Sequence, residues 1–236
     1  MIDLTVCTIG FANVPTMQRT FDMVSALKHS DKWLVLDNHY SEESSAWLRE
    51  NIGKYGYILF DEGFNMGLHR GYNRLLEEVK TTHMLAVDPD VLPATRHFDL
   101  ELLKHAENIA NVWVSCFNTV SLSQFEGHTL EGELIINPRP VVNSICLFAC
   151  SWLRSVGGMQ EPTALYGGLE SHMWQYLDQK TMRWVFALNS IELRSDVLPD
   201  LSDAVYHEFK VAHGVYNDQR TWEEFRRDYD VSVNSK

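Results

Sequence analysis

The sequence predicts an α/β fold, a three-layer sandwich around a mainly parallel central sheet. Between residues 4 and 88, short apolar runs alternate with amphipathic stretches at the spacing of repeated strand–helix–strand units. Connections of this kind are right-handed and place helices on both faces of the sheet. Polar residues or a glycine end several of the apolar runs, at the carboxyl edge where such sheets collect ligands.

The first half of the chain contains four predicted strands and three predicted helices. The strands are predicted at residues 4–9, 33–37, 57–60 and 83–88, and the helices at about 15–29, 41–51 and 67–79. Ser41 is the predicted N-cap of the second helix. Asp37 and Asp88 each end a strand and Gly10 follows another, so all three are expected on one rim of the sheet.

The second half is less regular in its pattern. Strands are predicted at residues 112–118, 144–150 and 184–188, and helices at 96–110 and 169–179. The tail mixes charged and aromatic residues and is predicted to be helical. It is either an acceptor-binding or dimer helix or a solvated helix, and both alternatives stay open. One domain over residues 1–200 with a C-terminal helical appendage over 201–236 is the simplest organisation.

Composition and charge restrict the function classes. With 20 Lys and Arg against 32 Asp and Glu in 236 residues, the formal net charge is −12. This balance argues against a surface that coats nucleic acid, although it leaves one local basic cleft open. No secretory signal and no bilayer-spanning apolar run is found in the sequence.

The cysteines indicate a reducing compartment. Cys7, Cys116, Cys146 and Cys150 all lie in apolar stretches without the spacing of a zinc site. We expect them to be buried free thiols rather than disulfides. A cytoplasmic location is the simplest expectation.

The segment "AVDPDVLP" contains the leading chemical signal. Asp88 and Asp90 follow a predicted buried strand and are separated only by Pro89. Two carboxylates this close repel each other unless a positive group lies between them. Either the segment is a solvated turn, or it binds a hard divalent cation such as Mn²⁺ or Mg²⁺, which favours carboxylate oxygens.

The segment "NMGLHRGYN" opens the third predicted helix. Gly67 and Gly71 lie four residues apart there, after Asn65. Glycines let another group approach the backbone, a helix N-terminus offers backbone N–H groups to an anion, and Arg70 adds a cation on the same turn. The alternative is that the two glycines only let the helix pack closely on the sheet, and the two interpretations are compatible.

Taken together, these segments resemble the GT-A nucleotide-sugar glycosyltransferases, most closely glycosyltransferase family 2. The resemblance rests on the order of "LTVCTIG", "LVLDN", "NMGLHRGYN" and "HMLAVDPDVLP", followed by "SICLFACSWLRSVGGMQEPTALYGGLESHMWQYL". It covers residues 4–188 and implies a GT-A fold, with residues 1–93 as the nucleotide-binding half and 94–200 as the acceptor-side half.

The resemblance also implies how the donor is bound. Thr8, Ile9 and Gly10 would line the nucleotide pocket at the end of the first strand, and Asp37 would contact the base. A UDP-sugar is the donor favoured by the frequency of this donor in the family. Which sugar and which base are used is left open.

The metal ligands follow from the same resemblance. Asp88 and Asp90 correspond to the family's Asp-x-Asp, with Asp90 as the direct ligand of Mn²⁺ or Mg²⁺ and Asp88 nearer the ribose. A histidine beyond the last strand often completes such a shell. His207 is the candidate and His213 the reserve.

The resemblance places the catalytic base at Glu170. The family usually has Glu-Asp there, whereas this chain has Glu170–Ser171. An inverting transfer with Glu170 as base is the expectation, and a retaining reaction stays open. Either Glu170 acts alone, or the base has been lost, or the register differs.

Two other function classes are weighed against the glycosyltransferase. A nucleotidyltransferase would be expected to carry a glycine-rich loop with a basic residue directly after the first strand, but "TIGFANVPTMQR" has one glycine and only Arg19. A non-catalytic module that binds a nucleotide or sugar is the second alternative. The acceptor hydroxyl is not specified by any segment, and lipid-linked sugars, oligosaccharides, proteins, small metabolites and modified nucleic-acid bases all fit.

Overall fold

The computed structural model of the 236-residue chain defines a layered α/β architecture. It describes residues 3–28, 30–91, 97–108, 112–116, 129–131, 134–136, 145–159, 183–187, 208 and 211–212. Side chains are described for most of these residues, and chiefly for those up to residue 91 and for 145–159.

Nine strands and five helices are present in the described residues. In chain order they are β1 (Leu4–Gly10), α1 (Val14–Val24), β2 (Ser30–Asp37), α2 (Glu42–Tyr55), β3 (Ile58–Asp61), α3 (Leu68–Glu78), β4 (His83–Val87), α4 (Phe98–Asn108), β5 (Val112–Cys116), β6 (Thr129–Glu131), β7 (Leu134–Ile136), β8 (Ile145–Ala149), α5 (Cys150–Ser155) and β9 (Arg183–Ala187).

All nine strands join one sheet in the order β3-β2-β1-β4-β8-β5-β9-β7-β6. The first four strands are parallel, and β2 places Asp37 opposite Asp61 of β3. β8 runs antiparallel to both β4 and β5, and β7 runs antiparallel to β6 and β9. The sheet is therefore mainly parallel, as predicted, with β8 and β7 as the reversed strands.

Alternate residues of the strands pack into two separate cores, one on each face of the sheet. On one face, Val6, Val35 and Leu85 pack with residues of α1, α2 and α4. On the other face, strand residues such as Cys7 and Leu36 pack with α3 and α5. This period-two division confirms the three-layer sandwich, because both faces of each central strand are buried.

Local sequence signals account for the helix boundaries. The Ser41 side chain accepts a hydrogen bond from the backbone N–H of Ser44 (3.1 Å), which confirms the predicted N-cap of α2. Asn13 caps α1 in the same way through Thr16 N–H (3.0 Å). Helix α1 ends at Val24, several residues before the predicted end at residue 29, because the chain turns there with successive bonds to Phe21, Met23 and Val24 carbonyls.

The structure adds three elements that the pattern did not predict, two strands and one helix. Strands β6 and β7 form a hairpin within the stretch of the sequence that reads as polar, and α5 starts directly where β8 ends. Cys7, Cys146 and Cys150 are buried free thiols, as expected, and burial raises the pKa of the Cys7 thiol well above its usual range. The Cys116 side chain, the predicted helix at 169–179 and nearly all of the tail lie outside the described residues.

Candidate nucleotide and metal site

The connection order of the sheet defines where a ligand is expected. The chain proceeds from β1 outward through β2 to β3 and then returns across the sheet to β4, so β1 and β4 flank the point where the order reverses. A crevice opens at the carboxyl ends of strands at such a switch point. Gly10 ends β1, and Asp88 follows β4 directly, so both lie at this edge.

The end of β1 is closely packed. The Thr8 side chain is buried and its Oγ1 accepts a hydrogen bond from Trp33 Nε1 (3.1 Å). A side chain at Gly10 would meet Leu48 Cδ1 at 2.7 Å and the carbonyl oxygen of Leu36 at 3.2 Å. Ile9 faces α3 on the other side of the sheet. Their backbone groups, rather than the side chains of Thr8 and Ile9, are thus what a nucleotide could contact here.

Asp37 is a fully buried carboxylate at the end of β2. Its Oδ1 accepts hydrogen bonds from the backbone N–H of His39 (3.0 Å) and from Ser45 Oγ (2.9 Å). Its Oδ2 accepts no hydrogen bond from the described residues, although the Arg49 guanidinium lies 3.8 Å away. A buried acceptor atom of this kind suits a ligand N–H group.

Asp37 also belongs to a cluster of possible metal ligands with His39 and Asp61. His39 has a positive φ of 54°, unusual for a residue other than glycine, and its ring nitrogen Nε2 lies 2.8 Å from Asp61 Oδ1. Among the described residues, Asp37, His39 and Asp61 are the group whose ligand atoms all lie within 4.8 Å of one another. Arg49 Nη1 is 3.8 Å from Asp37 Oδ2 and 3.6 Å from Asp61 Oδ2, so this cluster already contains a positive group that repels a metal ion.

The loop before α3 is shaped by asparagine and glycine. Asn65 Oδ1 accepts the backbone N–H of Gly67 (2.9 Å), and Asn38 Oδ1 accepts that of Met66 (2.8 Å). Gly67 caps the helix with φ 79° and ψ 178°, a conformation open essentially only to glycine, and no side chain caps the first turn. Arg70 is exposed on that turn. A helix N-terminus with a basic residue on its first turn is the kind of arrangement that suits an anion.

Gly71 has a packing role. A Cβ at this position would lie 2.8 Å from Ile9 Cδ1 and 3.0 Å from Leu36 Cδ2, so the absent side chain allows α3 to approach the sheet. The packing alternative is thus confirmed for Gly71, whereas Gly67 is required by the backbone conformation of the loop.

Asp88, Pro89 and Asp90 form a turn immediately after β4. The two carboxylates are half-buried, and Pro89 between them is buried. The Tyr72 hydroxyl donates a hydrogen bond to Asp88 Oδ1 (3.2 Å) from α3. Burial, and then the charge of Asp88, raise the pKa of Tyr72 well above its usual range, so the hydroxyl remains a donor.

The carboxylate oxygens of this turn are ligands that suit a hard divalent cation. Two carboxylates with partial access to solvent leave coordination positions for water or phosphate oxygens, which Mn²⁺ and Mg²⁺ retain in nucleotide sites.

A second connection joins α3 to the loop after α5. Asn73 Nδ2 donates to the carbonyl of Met159 (2.8 Å), and Asn73 Oδ1 accepts its N–H (2.6 Å). Gly157 and Gly158 both have φ 85°, and Gly158 packs directly against the Asn73 amide. Neither Tyr72 nor Asn73 is among the predicted site residues. The signal for them in the sequence is a polar side-chain atom on a helix that otherwise shows an apolar stripe.

The remaining predicted site residues are not placed by the structure. Glu170, His207 and His213 lie outside the described residues, so the predictions of a catalytic base and of a histidine ligand stay predictions. Among the described residues, no helix combines the length and apolar character needed to cross a bilayer.

Comparison with solved structures identifies the class of fold. The chain is similar to the mannosyltransferase PcManGT from Pyrobaculum calidifontis in complex with GDP-Man and Mn²⁺, at TM-score 0.64 and 13% identity over 80% of this chain and 57% of that one. It is also similar to GalNAc-T7 with UDP, GalNAc and Mn²⁺, at TM-score 0.67 and 10% identity over 82% and 43%. A third similar structure is residues 1–349 of S. aureus TarS in complex with UDP-GlcNAc, at TM-score 0.59 and 10% identity over 80% and 59%.

The fold is therefore that of the GT-A glycosyltransferases, which confirms the resemblance found in the sequence. No protein-family model matches the chain. No curated protein matches it significantly either. The chain corresponds to 43–59% of the length of these solved neighbours, and at 10–13% identity the similarity establishes the fold alone.

Proposed function

We propose that this protein is a metal-dependent glycosyltransferase that moves a sugar from a nucleotide-sugar donor, with a UDP-sugar favoured, to an acceptor hydroxyl. The observation that carries the proposal is the Asp88–Pro89–Asp90 turn, which follows β4 at the switch point of a GT-A fold. Solved proteins of similar fold were crystallised with GDP-Man, UDP or UDP-GlcNAc, and two of them with Mn²⁺.

In this proposal the described residues divide the binding of the donor among them. Asp37 Oδ2 accepts an N–H group of the base, and the backbone of Thr8, Ile9 and Gly10 lines the pocket. Asn65 and Gly67 shape the loop before α3, whose first turn and Arg70 attract the diphosphate. Asp88 lies nearer the ribose.

Asp90 is the direct metal ligand in the proposal, with His207 or His213 completing the shell. A bound Mn²⁺ or Mg²⁺ stabilises the negative charge that develops on the leaving nucleoside diphosphate. Glu170 accepts the proton of the acceptor hydroxyl, which corresponds to an inverting reaction. The domain boundaries at residues 93 and 200, and the helical tail at 201–236, belong to the same proposal.

Calorimetric titration with UDP, GDP, ADP, CDP and TDP, with and without Mn²⁺, tests the donor site. We expect one nucleotide to bind in a metal-dependent manner to the wild type and to Glu50→Ala, a control that removes an exposed carboxylate from α2. Asp90→Ala should lose metal-dependent binding while its thermal unfolding stays cooperative. Binding of none of the nucleotides to wild type, with or without metal, would refute the proposal.

Turnover is tested separately from binding. Release of nucleoside diphosphate from the matching nucleotide-sugar measures donor turnover, and NMR of the methyl glycoside formed with methanol as a simple hydroxyl acceptor gives the anomeric configuration of the product. Wild type should release product and Glu170→Gln should not. A configuration equal to that of the donor would overturn the inverting mechanism, and binding without any release would indicate a non-catalytic module.

A further inference from the structure

The hydrogen bond between Tyr72 and Asp88 connects the centre of α3 to the Asp88–Pro89–Asp90 turn, which is called the metal turn below. Tyr72 is 1% exposed and lies in the core between α3 and the sheet, 16 residues before its acceptor in the chain. Its hydroxyl donates to Asp88 Oδ1 at 3.2 Å. A hydroxyl inserted among apolar side chains must bond to a specific partner, because an unpaired buried donor is unfavourable.

The bond restrains the carboxylate where the backbone alone does not. The backbone leaves the strand ladder after Val87 and turns through Pro89, so the side chain of Asp88 is half-buried at the edge of the sheet. Packing fixes the Tyr72 ring, since Gly71 lets α3 lie directly against Ile9 and Leu36. A rigid donor held by the core thereby sets the rotation of the Asp88 carboxylate.

We propose that Tyr72 is a positioning residue that orients the Asp88 carboxylate for binding of the metal–nucleotide complex. The inference rests on the function proposed above and extends it to a residue buried below the site. In the proposed function Asp88 lies nearer the ribose, beside the metal ligand Asp90. Partners that orient the residues of a metal site contribute about 10- to 100-fold to metal affinity or activity in characterised sites.

Tyr72→Phe removes the hydroxyl and keeps the ring. A matched control is Tyr57→Phe, because the Tyr57 hydroxyl is also buried and donates to a single acceptor, the carbonyl of Leu48. Tyr57 belongs to the core on the opposite face of the sheet. Both variants lose one buried hydroxyl, and only one of them touches the metal turn.

The experiment titrates wild type and both variants with UDP and, in parallel, with GDP, each with and without Mn²⁺. We expect Tyr72→Phe to raise the Kd of nucleotide binding in the presence of Mn²⁺ about 10-fold, and Tyr57→Phe to match the wild type. Melting curves followed by circular dichroism establish that both variants are folded.

The outcomes separate this inference from the proposed function. If wild type binds a nucleotide with Mn²⁺ and Tyr72→Phe binds it within twofold of wild type, the inference fails and the proposed function stands. Equal weakening by Tyr57→Phe also overturns it, because the effect is then a general loss of core stability. If wild type binds neither nucleotide, the proposed function fails for these donors and the role of Tyr72 falls with it.

Discussion

Gly158→Ala should lower the free energy of unfolding by more than the cost of placing an alanine at a positive φ. Gly158 has φ 85°, and a Cβ there would lie 3.0 Å from Asn73 Cγ and closer still to Asn73 Oδ1. The positive φ costs an alanine about 1 kcal/mol. The Asn73 amide must also move, which breaks its two bonds to Met159 at about 1 kcal/mol each.

The expected total is about 3 kcal/mol, which corresponds to a Tm lower by roughly 6–12 °C for a chain of this size. Gly56→Ala is the matched control. Gly56 ends α2 with φ 76°, but a Cβ there meets nothing within 4 Å. The control should therefore lose about 1 kcal/mol, or roughly 2–4 °C. Differential scanning calorimetry measures both values.

A double-mutant cycle with Asn73→Ala isolates the clash. Asn73→Ala alone removes the two bonds to Met159, and Gly158→Ala in that background should cost no more than Gly56→Ala. Equal Tm values for Gly158→Ala and Gly56→Ala in the wild-type background would refute the reasoning, since the Asn73 amide would then not restrict this turn.

Two further predictions concern the elements around the site. The backbone N–H of Gly63 is the main cause that lowers the pKa of Asp61, so the stability due to this carboxylate is present above about pH 4 and is lost as pH falls through the lower folded-state value. The free energy of unfolding, measured by urea titration, should therefore fall less steeply below pH 4 in Asp61→Asn than in wild type. Ser41→Ala removes the cap on Ser44 N–H and should lower the free energy of unfolding by about 1 kcal/mol, whereas Ser25→Ala, which loses only an exposed bond, should change it little.

The first four strands could be predicted from sequence because their signal is local. Each is a short apolar run whose alternate residues face two buried sides, as Val6 and Cys7 do in β1. The N-cap at Ser41 is equally local, since it depends on one side chain and the N–H three residues on. These signals need no knowledge of what packs against them.

The order of the remaining strands could not be predicted in this way. β8 inserts antiparallel between β4 and β5, although about 30 residues separate it from β5 in the chain. Only long-range pairing, which leaves no local pattern, decides this arrangement. β6 and β7 have three residues each, too few for an alternation to be recognised.

The candidate site also combines features with a local sequence signal and features that depend on long-range packing. The Asp88–Pro89–Asp90 turn could be located from sequence because it follows an apolar run, and Asp37 for the same reason. The bond from Tyr72 to Asp88 depends on α3 crossing over the sheet, which spacing does not report. The positive φ of His39 has no sequence signal either, since glycine is the residue that such a conformation favours.

Tyr72 and Asn73 connect α3 to two turns around the candidate site. These adjacent residues bond in two directions, Tyr72 to the turn after β4 and Asn73 to Met159 in the turn after α5. Adjacent residues on a helix point about 100° apart, so one rigid element can fix both turns in a common frame. Arg154 strengthens the same connection from α5, because its guanidinium donates to the carbonyls of Leu76 and Val79 at the C-terminal end of α3. The turn after β4 and the turn after α5 are thus held to one helix through the side chains of Tyr72, Asn73 and Arg154.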